Sequence, residues 1–269
     1  WSARSFQTAL IANGLGAYGE KGDVTAIGGS TAAQWASAPY LQLITDELTA
    51  NPEIDIVHLS IGGNDFLPAV VSATPIDGVT MTPVAAFQEY YMQVVGALAT
   101  SLPNSQIVLI DLPADVRWAP FVSSISNMVD IPGMGSVQLQ GEDGPIEASD
   151  RLTLAASALI TQGYGLPIPG SPPLPENLDL ATGNPGVILR EAELDLIGQQ
   201  VAAFNQIITS AAAAFPNVHA MSINPMMEAL ATGTYRTFGG IELTTQLLVG
   251  GFFSYDGIHP QNVGQGVYT

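Results

Sequence analysis

Short apolar runs alternate with longer amphipathic stretches along most of this chain. The runs "DVTAIG" (23–28), "IDIVHLSIG" (54–62), "QIVLIDLP" (106–113) and "NVHAMSI" (217–223) are rich in Val and Ile. That pattern suits strands buried on both faces of a parallel sheet. Between them, residues 2–13, 40–50, 83–101 and 191–214 read as helices. The last, "EAELDLIGQQVAAFNQIITSAAAAF", opens on acids that favour a helix N-terminus and repeats apolar residues at helical spacing. Strand, helix, strand, helix predicts an α/β protein with a doubly wound parallel sheet and right-handed crossovers.

Residues 117–190 break the rhythm. They hold nine of the 19 prolines and many glycines, including "GYGLPIPGSPPLPEN". A structureless loop of that length is unusual in a compact domain. The segment is therefore expected to form an ordered insertion over one face of the sheet, either a plain surface elaboration or a lid-like wall over a site. No internal repeat or interdomain linker divides the chain, so residues 1–269 are expected to form a single domain.

Composition narrows the classes. Hydrophobic residues make up 47% and charged ones 11%, which excludes a disordered chain. The net charge of −18, from 24 acidic and 6 basic residues, repels nucleic acid and anionic lipid. There is no cysteine, hence no disulfide and no thiolate chemistry. No apolar run reaches the ~18 residues of a membrane span, so no stable membrane insertion is expected. The sequence does not begin with Met. A leader removed on export fits that, and a secreted or extracytoplasmic protein is the expectation.

Three segments carry candidate chemistry. "IGGND" follows an apolar strand, and ligands of open α/β sheets bind beyond such strand ends. Asn64 there offers a neutral amide donor suited to a developing oxyanion, or else bonds its own backbone in a plain turn. "VTAIGGSTA" repeats the arrangement, and Gly28 and Gly29 bring backbone N–H groups to a strand end. Ser30 invites comparison with a nucleophile elbow, but G-x-S-x-G requires Gly where this chain has Ala32. "DGIHP" sets Asp256 and His259 three residues apart, so one turn can join a base to the carboxylate that orients it. An Asp cap beside an incidental surface His is the plainer reading. Two ligands without a third nearby make a weak metal site. His58 and His219 lie inside apolar strands and read as structural.

The ordered set "IGGST", "IGGND" and "DGIHP" resembles the SGNH, or GDSL-type, hydrolase family. The stretches "LTLAASALI" and "PENLDLATGNPGVILREAELDLIGQQVAAFNQII" look like the middle of larger bacterial members, so the resemblance spans nearly the whole chain. It implies a three-layer, flavodoxin-like sheet of order 2-1-3-4-5. By position it implies Gly29 and Asn64 as oxyanion donors and Asp256 and His259 as the acid and base of a Ser-His-Asp set. The implied chemistry is hydrolysis of carboxylic esters, small or lipid-like, with no metal or organic cofactor. One family feature is not in this sequence, the Gly-Asp-Ser block that carries the nucleophile. The opening "WSARSFQTALIANGL" resembles the helix that follows that block, and the chain stops at "VGQGVYT", where a closing helix usually follows. The first strand, its Ser and the last helix are thus expected outside residues 1–269. Ser2 and Ser5 fall within the presumed helix and are not candidates for the nucleophile. Two other readings stay open: a ligand-binding protein of the same fold that has lost the nucleophile, and an α/β-hydrolase using Ser30.

Overall fold

The computed structural model describes residues 27–264 apart from positions 52, 238 and 262. The helix expected over 2–13, with Ser2 and Ser5, lies outside the described residues, as does most of the strand expected over 23–28. Ile27 and Gly28 lead into a turn. Helix α1 (Ala32–Trp35) follows, then α2 (Ala38–Ala50), strand β1 (Ile56–Leu59), α3 (Leu67–Val71), α4 (Val84–Ser101) and β2 (Gln106–Ile110). The excursion holds α5 (Pro120–Ser123), β3 (Met128–Ile131), β4 (Gly135–Gln138), β5 (Gln140–Gly141), β6 (Gly144–Pro145), β7 (Arg151–Leu152), α6 (Ala156–Thr161) and β8 (Ile188–Leu189). Helix α7 (Glu191–Ala214), β9 (Val218–Met221) and α8 (Asn224–Ala231) complete the order.

The molecule is mixed α/β, and its main sheet is parallel with strand order β1-β2-β9. Val57 faces Ile107 and Leu59 faces Leu109, while Ile107 faces Val218 across the next ladder. Ile107, Leu109 and Val218 point into the largest core, beneath α4 and α7. Phe87 of α4 and Phe204 of α7 stack there with ring centroids 3.9 Å apart. Helix α7 spans the stretch its apolar spacing marks out, and its inward side chains Leu194, Ile197, Val201 and Phe204 are all fully buried.

The opposite face of the sheet corrects the expectation of strands buried on both sides. Only β2 comes near it. The residues of β1 are half-buried or exposed, and β9 is exposed after Val218. His58, Val108 and His219 lie side by side on that second face. Among the described residues, the apolar cover on that face lies at its carboxyl end, where Ile110 packs with Ile223, Met227, Phe252 and Phe253. His219 is exposed and bonds the Gln106 side chain at 2.6 Å, so it is not enclosed by apolar neighbours. His58 is half-buried, and burial holds its ring below the ordinary histidine value.

The excursion is ordered. It folds into three two-stranded antiparallel ribbons, β3–β4, β5–β6 and β7–β8. Its own apolar cluster includes Leu139, Ile146, Leu152, Leu174, Val187 and Ile188. Arg190, just before α7, closes it. The guanidinium binds the Asp150 carboxylate at 2.8 Å and the Glu176 carboxylate, and both acids are buried. Removing one partner of such a buried set leaves uncompensated charge, typically at a cost of ~3–5 kcal/mol.

Candidate active site

The three segments singled out by sequence meet the carboxyl edge of the parallel sheet. "IGGND" leaves the C-terminal end of β1. Gly62 adopts φ +117, and a Cβ there would stand 3.1 Å from the Phe87 ring and Leu112. Only glycine combines that backbone with that fit. A short 3₁₀ turn (Gly63–Asp65) follows and turns two polar side chains toward the Ile27–Thr31 loop.

Both of those side chains grip that loop. Asn64 donates from Nδ2 to the Ser30 carbonyl at 3.0 Å, so its amide does not serve its own backbone. Asp65 accepts the Ala32 N–H at 2.9 Å, which satisfies one of the orphan donors opening α1. Its other oxygen accepts the Thr82 hydroxyl at 2.8 Å. Asp65 is buried, and burial pushes its carboxyl above the usual range while the Ala32 N–H and the Thr82 hydroxyl pull it back. Asp65 was missed in sequence. Its one signal was an acid set among apolar residues in "GGNDFLP".

Gly29, at φ +80, is exposed and one residue from the carbonyl that Asn64 holds. Its N–H donates to nothing among the described residues. A side-chain amide has two N–H donors, and Asn64 commits one to Ser30. Gly29 and Asn64 thus lie on clamped neighbouring loops, each with a donor to offer. Ser30 is differently placed. Its hydroxyl donates to the Ile27 carbonyl at 2.7 Å and accepts the Trp35 indole N–H at 2.7 Å, and the residue is buried. A hydroxyl held on both sides and shielded from solvent is poorly placed to attack a substrate.

Asp256 and His259 are joined as their spacing predicts. His259 Nδ1 lies 2.7 Å from Asp256 Oδ2. The other carboxylate oxygen accepts the Ser254 hydroxyl at 2.6 Å and the N–H groups of Ile258 and His259, each at 2.9 Å. Burial raises the Asp256 pKa, but these donors together outweigh it and hold the carboxyl well below the usual carboxylate range. Ser254 was also missed. Its signal is a hydroxyl two residues before an Asp in a turn.

A backbone contact anchors the turn. Gly257 accepts the Phe121 N–H at 3.0 Å. At φ +70, a Cβ on Gly257 would lie 2.6 Å from the Phe121 nitrogen. Phe121 belongs to α5, so the start of the excursion abuts the Asp256–His259 turn. Among the described residues, no hydrogen bond links that turn to the Gly29–Asn64 loops. No group of acidic or histidine side chains among the described residues is arranged to hold a metal ion. A scan against models of known protein families found no match, and a search of curated proteins found none.

Proposed function

We propose that this protein hydrolyses carboxylic esters through an acyl-enzyme, as a serine hydrolase of the SGNH type. The reading rests chiefly on the His259–Asp256 pair. With Nδ1 engaged by an ionised carboxylate, Nε2 is the nitrogen left to take a proton, and the side chain is 71% exposed to an incoming substrate. The parallel order β1-β2-β9 is compatible with the last three strands of the 2-1-3-4-5 flavodoxin-like arrangement.

In this mechanism a serine from a Gly-Asp-Ser block, which the resemblance puts before Trp1, attacks the ester carbonyl. His259 Nε2 accepts the serine proton, and Asp256 stabilises the imidazolium. The Gly29 N–H and the second Asn64 N–H stabilise the oxyanion. The alcohol leaves with the proton from His259. Water, deprotonated by the same nitrogen, then releases the acid and regenerates the serine. The apolar excursion beside the dyad favours hydrophobic acyl esters.

The test uses the protein from its complete coding sequence. A fluorophosphonate probe should label one serine of a Gly-Asp-Ser block, and p-nitrophenyl butyrate should be hydrolysed. Neither labelling nor turnover would sink the reading and leave a ligand-binding protein in its place.

A further inference from the structure

The excursion carries a small cavity close to where it leaves the main body. Its volume is about 210 Å³. That is well above the ~30 Å³ share of one water and below the ~300–1,000 Å³ of sites for drug-sized ligands. Arg117, Arg151, Ser126 and Asn127 line it, with Ser123 of α5 and with Asp150 just before β7. Acids outnumber bases 24 to 6 in this chain. The arginine and lysine side chains among the described residues are Arg117, Arg151, Arg190 and Arg236. Two of these meet in this one cavity.

Arg151 is the exception among them. Arg117 pairs with Asp115 and Asp195, Arg190 with Asp150 and Glu176, and Arg236 with Glu242. Arg151 has no carboxylate partner among the described residues, despite the excess of acids. Its Nη1 donates to the Ala148 and Asp150 carbonyls at 2.9 and 2.7 Å. Those bonds hold the half-buried guanidinium in place and leave Nε and Nη2 without an acceptor among the described residues. The two nitrogens form one edge of the planar fork, an edge that can take a carboxylate through two parallel bonds. Two further donors in the wall are uncommitted. The Ser126 hydroxyl accepts the Met128 N–H at 3.0 Å, and its own proton has no acceptor among the described residues. Asn127 donates one amide N–H to the Ile146 carbonyl at 2.8 Å and keeps the second. The acid in the wall is already engaged. Asp150 Oδ2 accepts from Arg190 and from the Glu147 N–H, each at 2.8 Å, and Oδ1 accepts the Glu191 N–H at 3.0 Å.

We propose that this cavity binds a small carboxylate, held by Arg151 through Nε and Nη2, with Ser126 and Asn127 donating to the same anion. Arg117 adds positive charge to the wall, partly neutralised by its two acids. In so acidic a chain the affinity is modest, with Kd on the order of 1 mM. The cavity belongs to the segment that seats the dyad. Ser123 is two residues, at most about 7 Å of chain, from Phe121, whose N–H binds the Gly257 carbonyl. A carboxylate bound there is held on the element that positions the Asp256–His259 turn. The proposal stands on the cavity, its uncommitted donors and the unpaired arginine, and does not require ester hydrolysis.

The test is an NMR titration of the protein from its complete coding sequence, in which sodium acetate replaces sodium chloride at fixed ionic strength. The Arg151 Nε–H signal, assigned by its loss in Arg151→Lys, and the Asn127 side-chain amide signal should both shift and saturate, with Kd on the order of 1 mM. Arg151→Lys keeps the charge but not the fork. Read at the Asn127 amide, it should weaken acetate binding at least about tenfold, the scale of one bond between charged groups. Ser126→Ala should weaken it about fivefold, the scale of one neutral donor. Signals that never saturate would overturn the proposal, as would an Arg151→Lys variant that binds acetate like the parent. Tighter binding of inorganic phosphate than of acetate would overturn the carboxylate assignment. The parent titration decides even where a variant melts lower. No turnover is measured, so these outcomes are independent of the ester-hydrolysis test.

Discussion

The two halves of the candidate site are built in opposite ways. Asp256 and His259 are held by bonds among residues 254–259, in a turn exposed to solvent. Gly29 and Asn64 are held by contacts between loops more than thirty residues apart, Asn64 to Ser30 and Asp65 to Ala32, with Asp65 buried beneath them. The first half is a local device docked on the molecule. The second is part of how the molecule folds. Substitutions in the dyad should therefore change chemistry with little change in stability, whereas substitutions in the clamp should change both.

The largest expected effect falls on the dyad. In the complete protein, His259→Ala should lower kcat about 10³-fold or more, the scale seen for triad members, with the melting temperature unchanged. Hydrolysis of p-nitrophenyl butyrate within tenfold of the parent would remove His259 as the base. Asn64→Ala comes next. Loss of one oxyanion donor costs ~10²–10³ in kcat, and loss of its bond to Ser30 should cost about 0.5–1.5 kcal/mol of stability. A change confined to KM would make Asn64 a ground-state contact. Either variant behaving like the other in a thermal melt would erase the contrast between the halves.

Asp65→Ala isolates the clamp. It strips acceptors from the buried Ala32 N–H and from the Thr82 hydroxyl, at ~1–3 kcal/mol for each group left unsatisfied. Denaturant unfolding should read that loss, and kcat should fall only as far as the loops loosen. The smallest effect is expected from Asp256→Asn on stability. The folded Asp256 pKa is depressed, so its contribution is present above the ordinary carboxylate value of ~3.9 and fades as pH falls through the lower folded value. The stability difference between parent and variant should therefore be greatest at neutral pH, kept modest there by the solvent exposure of Asp256, and should close in strong acid. A difference that grows on acidification would reverse the sign assigned here.

That contrast also explains what sequence could and could not reveal. The dyad was legible because its partners are three residues apart, and α7 because its apolar side chains recur every turn. The clamp was legible only as two glycine-rich loops. That Asn64 would reach Ser30, and Asp65 the opening of α1, depends on how β1 and α1 come together, which no local pattern records. The excursion was foreseen as ordered, but ribbons two to four residues long carry too few positions for a period of two to show. Its closing bonds, Arg190 to Asp150 and Glu176, join residues 40 and 14 apart. Full burial of the strands was overstated because Val and Ile report a strand's preference, not what covers its second face.

The meeting of Gly257 with Phe121 bears on how this surface can vary. The bond is backbone to backbone, and the space beside Gly257 admits no Cβ. Position 257 is therefore closed to substitution, while the Phe121 side chain takes no part in the bond and packs instead against the main core. Exposed side chains of the excursion can change without touching that contact, whereas Val122 and the Phe121 ring beside it are packed in the core. The placement of the Asp256–His259 turn is thus set by a contact that carries no side-chain information.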